Sequence, residues 1–301
     1  MAENEIDIML VDAFTTEAFA GNPAGVVLDG SQLTDQQMQK IANEIQVSET
    51  AFLTGREQKN VKLRFFTPQA EVDFCGHAAL AAVSALVWDK QFEPDGEVTN
   101  LNILAKCGLV PVEIHPHPVS GIEVALTFNK PRFAPFGYSR ELLSGALGVD
   151  QYQLPAHWPL SMVHAGVWSL VVPLSTIEAV DQARPDYDSL ARLNQKIGAL
   201  TTMLYTWQGP VDLYCRCFAP TVGVNEDPVT GTGLAATAAL VVKERAIQLN
   251  PPLTRLNAEQ GTPLGRTGNA KIDVAHDDSG ILSVRIAGTA VKTMEGRLRL
   301  P

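Results

Sequence analysis

Cys75-Gly76-His77-Ala78-Ala79-Leu80-Ala81-Ala82-Val83-Ser84-Ala85-Leu86-Val87-Trp88 is small and apolar on nearly every side when wound as a helix. A helix with no polar face must be enclosed by the domain that carries it. The segment therefore predicts a central helix over Gly76–Trp88, with the rest of its domain folded round it. A second such segment begins Thr230-Gly231-Thr232-Gly233-Leu234-Ala235-Ala236-Thr237 and continues to Arg245. One chain with two enclosed helices needs two cores.

The similarity extends outward from both helices. Upstream, Arg64-x-Phe66-x-Pro68 recurs as Arg216-x-Phe218-x-Pro220, and Gln39-Lys40-Ile41 recurs as Gln195-Lys196-Ile197. From Gln39, Arg64 and Gly76 the offsets are 156, 152 and 155 residues. Near-constant spacing in the same order marks an internal duplication. The local patterns agree. Strands are predicted over Ile6–Phe14, Ala24–Leu28, Ala51–Leu53 and Val61–Phe66. A helix opens at Thr34 with Gln37 placed as in a capping box. The second half repeats the order with a strand over Trp168–Pro173, a helix over Tyr187–Ile197, and strands over Thr201–Thr206 and Val211–Phe218. At 301 residues the chain suits two domains. The boundary is set near Pro116-His117-Pro118, giving residues 1–117 and 118–286. A final strand over Ile281–Met294 is expected to return, so that residues 287–301 complete the first domain.

Composition narrows the function. Apolar residues make 46% and charged residues 19%, the balance of a folded domain. The net charge of −10, with no run of Lys or Arg, argues against a nucleic-acid partner. Met1-Ala2-Glu3-Asn4-Glu5 is acidic, and no stretch of about 18 apolar residues occurs, so a cytoplasmic protein without a membrane partner is expected. Cys215 and Cys217 project in parallel from one strand face, which disfavours a bridge, and reduced thiols are expected for all four cysteines. No Cys-x-x-Cys pair exists, and the six His show no matching ligand spacing, so no metal is expected.

The chemistry is sought at the two helix starts. Each offers backbone N–H groups and a positive dipole end, and Gly76 and Gly231 let a ligand come close. If the halves face each other, both starts converge on one cleft suited to a carboxylate and to negative charge developing beside it. Cys75, Gly76, Ala78, Thr230, Gly231, Thr232 and Gly233 are the candidate substrate-binding positions. Cys75 opposite Thr230 excludes a two-thiol racemase, since Thr230 is no base at neutral pH. Cys75 alone is read as structural or cavity-lining, because buried cysteine is usually a small core residue. Glu49, between a helix and the apolar run Ala51-Phe52-Leu53, would be poorly solvated and so a competent proton carrier. Its counterpart in the second half is Thr201. Asp227, before Pro228, could cap the next turn or bind an ammonium or hydroxyl group. His77 stands at the mouth of the expected cleft. By residue type alone, a loop glutamate on the surface and a packed histidine are the better descriptions of these two.

Six segments taken together carry a resemblance. They are Asp12-Ala13-Phe14-Thr15, Phe19-x-Gly21-Asn22-Pro23-Ala24-Gly25-Val26-Val27, Ser48-Glu49-Thr50-Ala51-Phe52-Leu53, Arg64-Phe65-Phe66-Thr67-Pro68, Cys75-Gly76-His77-Ala78 and Glu226-Asp227-Pro228-Val229-Thr230-Gly231. In this order they resemble the PhzF-like family of phenazine biosynthesis, within the diaminopimelate-epimerase-like fold. The resemblance implies an α+β protein of two pseudo-symmetric domains, each a barrel-like, mostly antiparallel sheet around a central helix. It implies a cofactor-independent isomerase of a small carboxylate or amino-acid-like substrate, and a homodimer. It gives Glu49 the role of general acid and base in the inter-domain cleft, with His77, Asp227 and Thr232 lining the site. Ala79 and Thr232 depart from the family's usual Thr and Ser or Asn, which leaves the substrate open. Two other readings are a non-catalytic binding or regulatory protein and a hydrolase using Cys75 with His77. Against the hydrolase, side chains at a helix start point roughly 100° apart.

Overall fold

A computed structural model describes residues 5–300; Met1–Asn4 and Pro301, with most of the acidic start noted above, lie outside the described residues. The fold is α+β and forms two compact units. The first holds the chain up to Thr127 together with the segment from Ala287 onward, and the second runs from Phe128 to Ile286. Pro116 and His117 are not a linker. They end the strand Gly108–His117, pair with Ile122 and Gly121 across a hairpin, and belong to the first unit.

In the first unit Glu5–Ala13 lies between Asn22–Val27 and Ala290–Arg299, antiparallel to both. Asn22–Val27 then runs parallel to Glu49–Glu57, which turns back antiparallel to Asn60–Phe66. That strand pairs in parallel with Thr99–Ala105, the first arm of a hairpin with Gly108–His117. The second unit repeats the series. Val167–Pro173 is parallel to Thr201–Thr206, that strand is antiparallel to Leu213–Ala219, and Leu213–Ala219 is parallel to Leu253–Gln260, which pairs with Gly268–Asp277.

Each unit encloses one of the two small-residue, apolar helices. In Gly76–Trp88 every residue from Gly76 to Leu86 is buried, and the helix packs on the strands that begin at Glu5, Asn22, Glu49 and Ala290. In Gly231–Lys243 every residue from Gly233 to Val242 is buried, against the strands beginning at Ser161, Val167 and Thr201. Close approach depends on glycine here: a Cβ on Gly233 would sit 2.3 Å from Met203 Sδ. Amphipathic helices cover the outside. Asp35–Ile45 is capped by Thr34 with the reciprocal Gln37 contact that the sequence predicts, and Tyr187–Ile197 is its counterpart.

Three further sequence expectations change. The predicted strand Ile281–Met294 is two strands, Gly280–Gly288 and Ala290–Arg299. The break falls at Thr289, whose carbonyl takes the N–H groups of Phe14 and Thr15 while its hydroxyl donates to Thr15 O. The strand at Ala51–Leu53 extends over Glu49–Glu57, so Glu49 opens a strand rather than sitting in a loop. The helix expected to reach Arg245 ends at Lys243. All four cysteines are free thiols. No helix among the described residues is long and apolar enough to cross a membrane.

Candidate active site

The first central helix begins at Gly76 with Cys75 as its N-cap, in extended conformation. Cys75 donates no cap and accepts none, and the same holds for Thr230 ahead of Gly231. Every other α-helix has a side-chain cap, from Thr34, Ser139, Thr176 and Asp186. The two central helices thus leave their first-turn N–H groups without a side-chain acceptor, the condition under which a helix start binds an anion. A Cβ on Gly76 would meet only Leu126 at 3.8 Å, an ordinary contact. Protein packing does not demand glycine there, and its absence of side chain leaves the backbone open.

His77 sits one residue into the helix and is 5% exposed. Burial pushes its pKa from 6.5 down to about 3, so the imidazole is neutral across the physiological range. Its approach to Glu49, 3.4 Å from Nε2 to Oε2, is therefore a close contact and not an ion pair. Asn22 Nδ2 lies 3.1 Å from His77 Nδ1, and Ser48 Oγ lies 3.2 Å from His77 Nε2. With the Asn22 amide donating to Nδ1, the ring proton resides on Nε2, facing Glu49 and Ser48. Asn22 is fully buried. Its position follows from Gly21, whose φ of +60° and missing Cβ let the chain turn against Ala13 O, where a Cβ would fall 2.1 Å away. Asp12 fixes the same loop by accepting the Phe19 N–H at 2.7 Å.

Glu49 opens its strand opposite Ala24, with its side chain 18% exposed. Thr201 holds the equivalent place in the second unit, opposite Ser169, and spends its hydroxyl on Ser169 Oγ at 2.7 Å. The carboxylate is one-sided, as the sequence reading expects. Cys75 differs from that reading. Its Sγ is 3.3 Å from His77 Nδ1 and 3.9 Å from Nε2. The divergence expected of two helical residues fails because Cys75 is extended and its thiol folds back over the ring. Donor atoms of Glu49, Cys75 and His77 all fall within 4.8 Å of one another. Ala78 is fully buried behind them.

In the second unit Asp227 ends the strand Val224–Asp227 and accepts from Thr230 Oγ1 at 2.5 Å. Gln260, which the sequence reading passed over, organises this pair. Its Oε1 accepts the Thr230 N–H at 3.2 Å, which fixes the amide orientation. Its Nε2 donates to Asp227 O at 2.8 Å and to Thr230 Oγ1 at 3.2 Å. Thr230 Oγ1 thus accepts from Gln260 and sends its own proton to Asp227. Thr232 is half-buried and packs against the turn at Gly166, while Gly233 serves the contact with Met203. Asn22 and Ser48 could have been found from the motifs around them. Gln260 carries no local signal; parallel pairing of Cys215 with Gln260 brings it in.

The family model of phenazine biosynthesis-like proteins matches residues 11–296. The chain is 31% identical to an uncharacterized isomerase of Clostridium acetobutylicum, across 96% of this chain and 97% of that protein. It is 34% identical to an uncharacterized isomerase of Deinococcus radiodurans, across 95% and 92%. Among solved structures, the PhzF-family phenazine biosynthesis protein of Bacillus anthracis superposes with a TM-score of 0.89 at 28% identity, covering 98% of this chain and 99% of that one. A hydroxyproline epimerase from Agrobacterium vitis shares the fold alone, with a TM-score of 0.69 at 12% identity over 98% and 91%.

Proposed function

Since the chain belongs to the phenazine biosynthesis-like family, we propose that this isomerase moves a proton between carbons of a small carboxylate or amino-acid-like substrate, with Glu49 as general acid and base and no cofactor. The observation that carries this reading is the Glu49 carboxylate beside the neutral His77 at an uncapped helix start.

A proton shift next to a carboxylate needs three things: a base, a charge sink and a way to return the proton. Glu49 supplies the first and last. It is sheltered from bulk water, and it can take a proton from one carbon and release it to another without exchanging it with a second group. The N–H groups at the start of Gly76–Trp88 supply the sink for the substrate carboxylate and for charge that builds up beside it. His77 donates from Nε2 to Ser48 Oγ and stands beside the Glu49 carboxylate without bringing a competing positive charge. Asp227, fixed by Thr230 and Gln260, is a rigid acceptor for an ammonium or hydroxyl group.

The 3.3 Å contact of Cys75 with His77 favours a second reading, thiol catalysis. It is the weaker one. A base for Cys75 must accept its proton, and burial opposes charge on His77 strongly. The test is solvent deuterium uptake into small carboxylic and amino acids, followed by NMR. Glu49→Gln is expected to keep the fold and lower uptake by at least about 1,000-fold, within the range of general acid–base contributions. Uptake by Glu49→Gln at the wild-type rate, or its abolition by Cys75→Ala alone, would remove Glu49 from the role.

A further inference from the structure

We propose that Glu49, Cys75 and His77 form a binding site for a thiophilic divalent cation such as Zn²⁺, which closes the isomerase site when occupied. The site combines a soft sulfur, an imidazole nitrogen and a carboxylate oxygen, a donor set of the zinc type rather than the magnesium or calcium type.

The distances fit. A tetrahedral zinc ion with bonds of about 2.0 Å to N and O and about 2.3 Å to S spaces its N and O donors by about 3.3 Å and its N and S donors by about 3.5 Å. His77 Nε2 lies 3.4 Å from Glu49 Oε2 and 3.9 Å from Cys75 Sγ. All three ligand atoms fall within 4.8 Å of one another, and because Cys75 Sγ now lies nearer Nδ1, at 3.3 Å, rotation of the thiol toward the Nε2 side completes the triangle. Three protein ligands leave a fourth position for water or a substrate oxygen, as in open zinc sites. The outer shell is also present. A ring that gives Nε2 to the metal needs a partner at Nδ1. Asn22 is there at 3.1 Å, fully buried; it presents Nδ2 in the metal-free site, and turning its carboxamide over offers Oδ1 to the Nδ1–H of a metal-bound ring. Cys75 and His77 are 8% and 5% exposed, while Glu49, at 18%, gives the ion its way in. Cys75-x-His77 carries no local metal-site signal, because the third ligand stands 26 residues upstream of Cys75, on a strand rather than on the helix.

Binding rests on this geometry alone; closure of the site rests on the proposed role of Glu49, because a metal-bound carboxylate cannot carry a proton. The experiment uses the full, untagged chain carrying Cys107→Ser, which removes the exposed thiol and leaves Cys215 and Cys217 fully buried. Zinc is titrated in competition with a chromophoric chelator, and cobalt is followed by its thiolate charge-transfer absorption. One equivalent is expected, with that absorption present. Adding Cys75→Ser should abolish the absorption and weaken zinc binding by at least about 100-fold, more than the loss of an outer-shell partner. Magnesium should not compete. Substoichiometric binding, or binding unchanged by Cys75→Ser, overturns the site. If Cys75→Ser does not fold, alkylation decides: one equivalent of zinc should shield Cys75 from iodoacetamide, and alkylation at the zinc-free rate overturns the site. Deuterium uptake by the zinc-loaded protein separates the two claims. Its loss supports closure; full uptake with zinc bound through Cys75 refutes the role of Glu49 and leaves the metal site standing.

Discussion

His77 is a base that the fold refuses to charge. In the unfolded chain it takes a proton as pH falls below about 6.5, while in the folded protein burial holds it neutral down to about 3. Between those limits the unfolded state binds more protons, so stability is fully present above pH 6.5 and falls as the pH is lowered. The loss amounts to a few kcal/mol by the lower end. Replacing His77 with Gln should flatten the acid limb of a melting-temperature profile between pH 6.5 and 4. A limb of unchanged slope would assign the acid sensitivity elsewhere. Gln260 makes a different point about single residues. Gln260→Leu strands the buried Thr230 N–H, a loss of about 1–3 kcal/mol for the unsatisfied group. Urea melts read that loss. Wild-type stability in Gln260→Leu would mean that water or a neighbour takes over that group.

The repeated Arg-x-Phe-x-Pro strands show how one sequence motif does the same structural job twice with unequal strength. Arg64 grips Glu71 through two nitrogens and lies 5.1 Å over Phe66, and Arg216 grips Glu226 in the same way and lies 4.9 Å over Phe218. Each pair ties the strand that precedes a central helix to the sheet, and in the second unit that strand carries Asp227. The environments differ. Arg64 and Glu71 are about a quarter exposed, whereas Arg216 and Glu226 are 5% and 8% exposed, with Arg216 Nη1 donating to Val180 and Ala183 carbonyls. Removing one member of a buried pair leaves its partner stranded at about 3–5 kcal/mol. Arg216→Met should therefore destabilise by about that amount, and Arg64→Met by under about 1 kcal/mol, as for exposed pairs. Equal losses in denaturant melts would contradict the burial argument. The arginines were legible as a repeat, but their partners were not. Glu226 lies ten residues beyond Arg216, past a turn, and pattern reading does not reach across it. The central helices and the capping box at Thr34 were legible, because burial on all faces and capping chemistry act within a few residues. The break at Thr289 was not, since Phe14 and Thr15 impose it from the other end of the sequence.

Across the whole chain, duplication explains the architecture, and departure from it marks the candidate site. Both units run the same series of parallel and antiparallel pairings around one enclosed helix. Equivalent positions diverge at Glu49 against Thr201 and at Cys75 against Thr230, the residues to which the proposals above assign chemistry. The units also differ in how they are closed. The first depends on residues from the far end of the sequence. Glu5–Ala13 is an interior strand only because Ala290–Arg299 pairs along its full length, from Glu5 with Arg299 to Ala13 with Ala290. The second unit is continuous in sequence. Cutting the chain after Ile286 removes that partner and exposes one edge of Glu5–Ala13 to solvent. The hydrogen-bonded edge shared with Asn22–Val27 survives, so the damage should be local before it is global. In hydrogen exchange, amides of Glu5–Ala13 and of the start of Gly76–Trp88 are expected to lose protection by at least about 100-fold, equivalent to about 3 kcal/mol. Amides of Val167–Pro173 and Gly231–Lys243 should keep theirs. Loss of protection spread evenly over both units would show instead that the final strand stabilises the molecule as a single cooperative body.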